Sequence, residues 1–206
     1  MKYLITQSLL SAWAYQFDCV EGYEEEARES FLRTLRREKE EPTDAMLNGI
    51  EFENAVYATA AGTMDPTGHK WEKGIQKVAK YLKNAPVQVK VSSDIRVDGM
   101  DFLLYGILDA LKAGTIYDVK FLNKSIGSAE LAGKYLESAQ HPAYFYLVPD
   151  ALAFRYLVSD GEDIYIESYL RQDTRYIGDY IHDFLLSITT DGLLDTYKEY
   201  WQAQEG

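Results

Sequence analysis

The chain has little of what several common kinds of functional site require. Cysteine occurs once in 206 residues, as Cys19. One thiol cannot build a disulfide, a cysteine-cluster zinc site or an iron–sulfur centre within a single chain, and such usage fits a reducing cytoplasm. Long apolar runs are missing: nothing approaches the roughly 18 apolar residues of a membrane span. The opening MKYLITQSLLSAWAYQFDC carries one lysine, is interrupted by Gln7, Ser8 and Ser11, and lacks a small-residue cleavage site, so no signal peptide is read. A cytoplasmic protein without membrane association is the expectation. Positive charge is also short, with 21 Lys and Arg against 33 Asp and Glu, a net charge of −12. That balance argues against a passive nucleic-acid coat.

What is present describes a globular domain with a real core, 47% hydrophobic and 26% charged. The 17 tyrosines fall largely at helical spacing in the last third, where packing explains them. Charge is unevenly spread. Residues 160–206 hold 11 acids and 3 bases, whereas residues 68–134 hold 11 bases and 7 acids. A basic middle beside an acidic tail lets a polyanion meet one face only.

Hydrophobic spacing predicts helices over 8–37, interrupted at Gly22, and over 45–61, with Asp44 as N-cap after the charged linker REKEEPTD. A third helix is predicted at about 69–84, with Trp71, Ile75, Val78 and Leu82 on one side and Lys73, Lys77, Lys80 and Lys83 on the other. The period then changes to two. VQVKVSSDIRV, MDFLLYGILDALK and TIYDVKF, joined by Asp98-Gly99 and Ala113-Gly114, read as an antiparallel meander. A helix at about 128–148, strands at 151–159 and 163–170, and helix from about 173 to 203 complete an α/β fold with a mixed central sheet flanked by helices. The chain reads as a single domain, 1–206. It divides into a helical N-terminal extension (1–44), a core (45–150), and two strands with C-terminal helix (151–206).

The stretch GILDALKAGTIYDVKF puts an aspartate in the middle of each apolar strand. With Ala113 and Gly114 as the turn, residue i pairs with residue 227 − i, and Asp109 comes opposite Asp118. Lys120 shares the face of Asp118, while Leu108, Ala110, Tyr117, Val119 and Phe121 take the other. Like charges directly opposite are destabilising, and a divalent cation removes the conflict; Mg²⁺ takes one or two carboxylates and substrate phosphates. A solvent-facing strand pair with scattered charge is the plainer alternative.

GILDAL followed by Asp118-Val119-Lys120 resembles the core signature of the PD-(D/E)XK nuclease superfamily, and in particular its RecB-like and lambda-exonuclease-like branch. Gln140 and Tyr144, in SAQHPAYFYLV, match that branch's Gln and Tyr on the next helix, with Pro142 as a departure. Gly49 and Glu53, in LNGIEFENAVY, match its upstream helical motif, with Glu51 as an alternative ligand. Ser8, Ser11 and Trp13 before Tyr15 are similar to its helix start. The resemblance implies a restriction-endonuclease-like fold and a metal-dependent (exo)deoxyribonuclease acting in recombination, repair or phage DNA processing. It implies Mg²⁺ or Mn²⁺ held by Asp109, Asp118, the Val119 carbonyl and Glu53. Lys120 and Gln140 would orient water and phosphate, and Tyr144 would contact substrate. Lys73, Lys77 and Lys80 would guide the DNA backbone. DNA is the implied partner, with a recombination or single-strand-annealing protein as a further one. Two rival readings remain: a non-catalytic binding partner on the same fold, and an acidic nucleic-acid-mimic inhibitor.

Overall fold

The computed structural model describes residues 1–128 and 130–203. The first strand, β1 (Lys2–Thr6), passes directly into α1 (Gln7–Asp18), where the Thr6 hydroxyl caps the Leu9 amide at 3.2 Å. Gly22, at φ +90°, turns the chain into α2 (Glu24–Leu35). Helix α3 (Asp44–Ala60) is capped by the Thr43 side chain, one residue before the expected Asp44, and α4 (Glu72–Leu82) follows. Strands β2 (Val87–Val97), β3 (Met100–Lys112) and β4 (Thr115–Phe121) form the meander. Helix α5 is short, Gln140–Leu147, so Pro142 lies in its first turn, where no intrahelical N–H is lost. The expected helix from residue 128 is therefore mostly irregular chain. Strands β5 (Ala153–Ser159) and β6 (Ile164–Leu170) and helices α6 (Ile177–Thr190) and α7 (Leu194–Tyr200) complete the order.

The six strands form one mixed sheet, ordered β1-β3-β4-β5-β6 with β2 also on β3. β1 runs parallel to β3 and β4 parallel to β5; the other pairs are antiparallel. The residues before Gln7 are thus not part of a helical extension. Five residues are too few to show a period of two beside a helix start, and their place is fixed by pairing with Lys2↔Asp101 through Thr6↔Tyr105.

Each face of the sheet carries its own core. One packs Leu9, Phe31, Leu104, Leu108, Tyr144, Phe154, Tyr156 and Phe184 with α1, α2, α5, α6 and α7. The other packs Phe52, Val56, Ile75, Val78, Ala110, Tyr117 and Val119 with α3 and α4. Apolar residues on alternate sides of β4 feed both, which is why its burial is nearly continuous. Among the described residues, no helix is long and apolar enough to cross a membrane.

Candidate active site

The site begins with a fork in the sheet. A strand has two edges, and β2 takes one edge of β3 from Met100 to Ala110. The other edge is shared: β1 pairs with Asp101–Tyr105 and β4 only with Ala110–Lys112. The stretch Gly106-Ile107-Leu108-Asp109 faces the opening between them. The expected turn is correct, since Ala113 and Gly114 both have positive φ (48° and 72°) and the observed pairs Ala110↔Tyr117, Leu111↔Ile116 and Lys112↔Thr115 obey 227 − i. The ladder stops one step before Asp109 and Asp118.

Side chains satisfy the backbone where the ladder ends. The Val119 amide donates to Asp109 Oδ2 at 2.8 Å, and the Tyr144 hydroxyl donates to the Ile107 carbonyl at 2.8 Å. Tyr144 can lie this close because residue 106 is glycine; a Cβ there would stand 2.4 Å from the Tyr144 ring. Tyr144, expected to touch substrate, is buried and tied to β3.

The strand partner on the outer edge is irregular at the same level. The register of β2 on β3 skips Gln88 and Asp109 between Val87↔Ala110 and Val89↔Leu108, and Gln88 has φ 53°. Leu108 consequently packs in one core and Ala110 in the other. This corrects the expectation that Leu108 and Ala110 share a face. Asp109 is therefore aimed into the fork rather than along one face, and Gln88 Nε2 approaches its Oδ1 at 3.4 Å.

Asp118 is almost fully buried, 5% exposed. Gln140 Nε2 donates to its Oδ1, and the Lys120 ammonium lies 2.8 Å from its Oδ2 as an ion pair. The ammonium is the partner of this buried oxygen. From the opposite face, α3 brings Glu53 within electrostatic reach of Lys120 and Asp118. Glu51, the alternative, is exposed and paired with Lys70 at 2.7 Å and His69 at 3.6 Å, which takes it out of the cluster. One helical turn separates Glu53 from Tyr57, whose buried hydroxyl faces Asp109, Glu53 and Asp118. Sequence reasoning missed Tyr57; its i+4 spacing from Glu53 was the available signal. Tyr135 was missed as well. It stacks on Tyr156 with ring centroids 4.1 Å apart and stands beside Lys120 and Asp118.

The electrostatics follow from three acids meeting one amine in a partly dry place. Burial, then repulsion from Asp118, pushes the Asp109 carboxyl up to about 7 against the pull of the Val119 amide and Lys120. Burial also raises Glu53. For Lys120 burial favours the neutral amine, but the Asp118 carboxylate outweighs it and raises its pKa. His141 is buried against Tyr156 and Tyr169 and lowered by burial to about 4, so it is neutral and packs.

The lysines of α4 divide. Lys73 pairs with Glu162, and Lys77 lies 2.7 Å from Asp163, both acids on the β5–β6 turn. The structure does not bring these two to the carboxylates. Lys80 and Lys83 lie nearer the end of the helix and make no ion pair among the described residues. The motif residue Gly49 has nothing within 4 Å of an added Cβ, so packing does not demand glycine there.

Among the described residues, no three His, Cys, Asp or Glu side chains are gathered closely enough to hold a metal ion by themselves. The donors of the fork still fit a hard divalent cation. Two aspartates and a main-chain carbonyl supply oxygen only, and Mg²⁺ retains several waters beyond one or two carboxylates. In an extended strand a residue's N–H and C=O point to the same edge, so the Val119 carbonyl faces the fork as its amide does. Three carboxylates around one ammonium leave a deficit of positive charge that a divalent ion would fill.

No family model matches the chain, and no curated protein matches it. Solved structures do. The crystal structure of SSO0001 is similar with a TM-score of 0.53 at 13% identity, covering 93% of this chain and 77% of that one. The crystal structure of LHK-Exo in complex with dAMP is similar with a TM-score of 0.48 at 12% identity, covering 94% of this chain and 93% of that one. At such identity the first likeness speaks for the fold alone. That fold is the restriction-endonuclease-like α/β class implied by the motifs, a six-stranded mixed sheet flanked by helices.

Proposed function

We propose that this protein is a metal-dependent nuclease that hydrolyses DNA phosphodiester bonds at the β3–β4 fork. The observation that carries the reading is the meeting of Asp109, Asp118 and Glu53 around Lys120, with Asp118 buried and ion-paired to that ammonium at 2.8 Å. Asp109, Asp118 and the Val119 carbonyl would hold Mg²⁺ or Mn²⁺, with Glu53 completing the set directly or through water. Bound there, the ion supplies Lewis acidity toward the phosphate and toward the attacking water.

The chain's own residues do the rest. Lys120, held as an ammonium by Asp118, orients the water and offsets charge that builds on the phosphate oxygens. Gln140 fixes the Asp118 carboxylate through its amide nitrogen, and its carbonyl oxygen is left to orient a water. The Asp109–Val119 bond keeps the two strands apart, so the fork stays open to a phosphate. Tyr57 closes the α3 side of the carboxylate cluster. The finer reading, an exonuclease of recombination, repair or phage DNA processing working beside a recombination protein, rests on motif order alone.

The experiment is incubation with linear and circular DNA, single- and double-stranded, in Mg²⁺ or EDTA. Asp118→Ala and Lys120→Ala should each lower Mg²⁺-dependent cutting by about 100-fold or more while circular dichroism stays unchanged. Cutting that survives both substitutions places the chemistry elsewhere.

A further inference from the structure

Five non-glycine residues among those described have positive φ, and four of them lie where the chain turns. Arg37 and Asn84 stand just past the ends of α2 and α4, and Asp98 and Ala113 occupy the two hairpin turns. The fifth, Gln88 at 53°, lies inside a strand. For a residue with a Cβ this region is sparsely populated and strained. Gln88 stands level with Asp109, between the pairs Val87↔Ala110 and Val89↔Leu108. Both strands reverse side-chain direction there: Val87 and Ala110 pack in the core under α3 and α4, Val89 and Leu108 in the other.

The reversal explains the backbone but not the side chain, since glycine would make it without steric cost. Gln88 adds an exposed carboxamide, whose Nε2 lies 3.4 Å from Asp109 Oδ1. The other oxygen, Oδ2, accepts the Val119 amide at 2.8 Å. One hydrogen bond fixes where a carboxylate sits but lets its plane pivot; a donor at each oxygen fixes the plane as well. Asp109 is pulled unevenly, because Asp118 and Glu53 repel it while Lys120 attracts it. The Tyr57 hydroxyl faces it from α3, and Gln88 reaches it from β2 on the far edge of β3. At 3.4 Å the contact is long for a donated hydrogen bond, and such bonds at reactive centres tighten when the reacting partners arrive.

We propose that Gln88 is a positioning residue for the reaction at the fork: its carboxamide holds the Asp109 carboxylate in the one orientation that presents it to a divalent ion. The strained backbone at residue 88 is retained for that contact. Gln88 acts through Asp109 and touches neither ion nor phosphate. This rests on the nuclease reading and adds to it a residue of β2, a strand that carries none of the motif residues. Partners of a metal-binding side chain commonly govern metal affinity by about 10–100-fold. Strain and grip also predict different outcomes for different substitutions, which separates a positioning side chain from a residue that only shapes the strand.

The test uses the full chain as wild type, Gln88→Gly and Gln88→Ala. Both substitutions remove the carboxamide; glycine also relieves the strain, whereas alanine keeps it. In EDTA, Gln88→Gly should melt at or above wild type and about 2–4 °C above Gln88→Ala. Titration of Tm with Mg²⁺ or Mn²⁺ reads metal affinity without turnover. Both variants should need about 10-fold more metal to reach half the shift, so the glycine variant keeps its stability and still binds metal poorly. On linear duplex DNA, with metal saturating for each protein, both should lose about 10-fold in kcat while KM stays within about twofold. Metal midpoints equal to wild type in both variants overturn the proposal. A loss seen in Gln88→Ala and restored in Gln88→Gly also overturns it, since residue 88 would then matter through its backbone alone. A raised KM with unchanged kcat overturns it in favour of direct contact with substrate. A wild-type Tm indifferent to both ions defeats the nuclease reading and this inference with it; a wild-type shift left unaltered by the substitutions defeats this inference alone.

Discussion

Asp109→Asn should stabilise the protein in EDTA at neutral and alkaline pH while removing a proposed metal ligand. Asparagine keeps an oxygen to accept the Val119 amide and deletes a negative charge that faces Asp118 and Glu53. The carboxyl of Asp109 is lifted from 3.8 to about 7 by burial and by Asp118. At about 1.4 kcal/mol per pH unit, the ionised form costs the fold at most about 4 kcal/mol, and solvent screening in a half-buried fork lowers this to about 1–3 kcal/mol. A folded-state pKa raised above the unfolded value means that the folded protein binds the extra proton. Stability from this group is therefore complete below about pH 4 and is lost as pH rises through about 7. The advantage of Asn over Asp should be smallest near pH 4, grow toward pH 7 and level off above. Urea denaturation in EDTA at pH 4.5, 6 and 8 measures it. For a domain of this size, each kcal/mol should also move Tm by about 2–4 °C. A difference between Asn and Asp that is the same at all three pH values would refute the electrostatic reasoning. So would an asparagine variant that loses most ground at pH 8.

On the proposed reading, wild-type protein at saturating Mg²⁺ or Mn²⁺ should melt higher than in EDTA, because an ion held at the fork would bind only the folded state. Glu53→Gln should weaken that shift by about 10-fold in metal concentration, whereas Glu51→Gln should leave it within about twofold, since a surface ion pair contributes at most about 1 kcal/mol; titration of Tm against metal separates the two. Gly106→Ala drives a Cβ to 2.4 Å from the Tyr144 ring and should cost about 1–3 kcal/mol in urea denaturation. A neutral result would mean that α5 is free to slide off β3.

The sequence by itself determined whatever depends on local period and turn chemistry. Alternation announced β2, β3 and β4, two positive-φ turn residues set the register of the hairpin, and that register brought Asp109, Asp118 and Lys120 to one locus. Helical spacing put Gln140 and Glu53 on elements able to reach them. Tertiary structure decided the remainder, because each feature depends on which long-range neighbour occupies a limited space. β1 takes one end of an edge of β3 and β4 the other, and only their separation creates the fork. The break at Gln88 and Asp109 reverses side-chain direction in a way no alternation pattern encodes. The packing of α3 against the sheet brings Glu53 and Tyr57 to the carboxylates and leaves Glu51 to Lys70. The acids of the β5–β6 turn reach Lys73 and Lys77 across about 90 residues of chain. A stripe uniform in sequence is thereby divided into a half paired with acids and a half that makes no ion pair among the described residues.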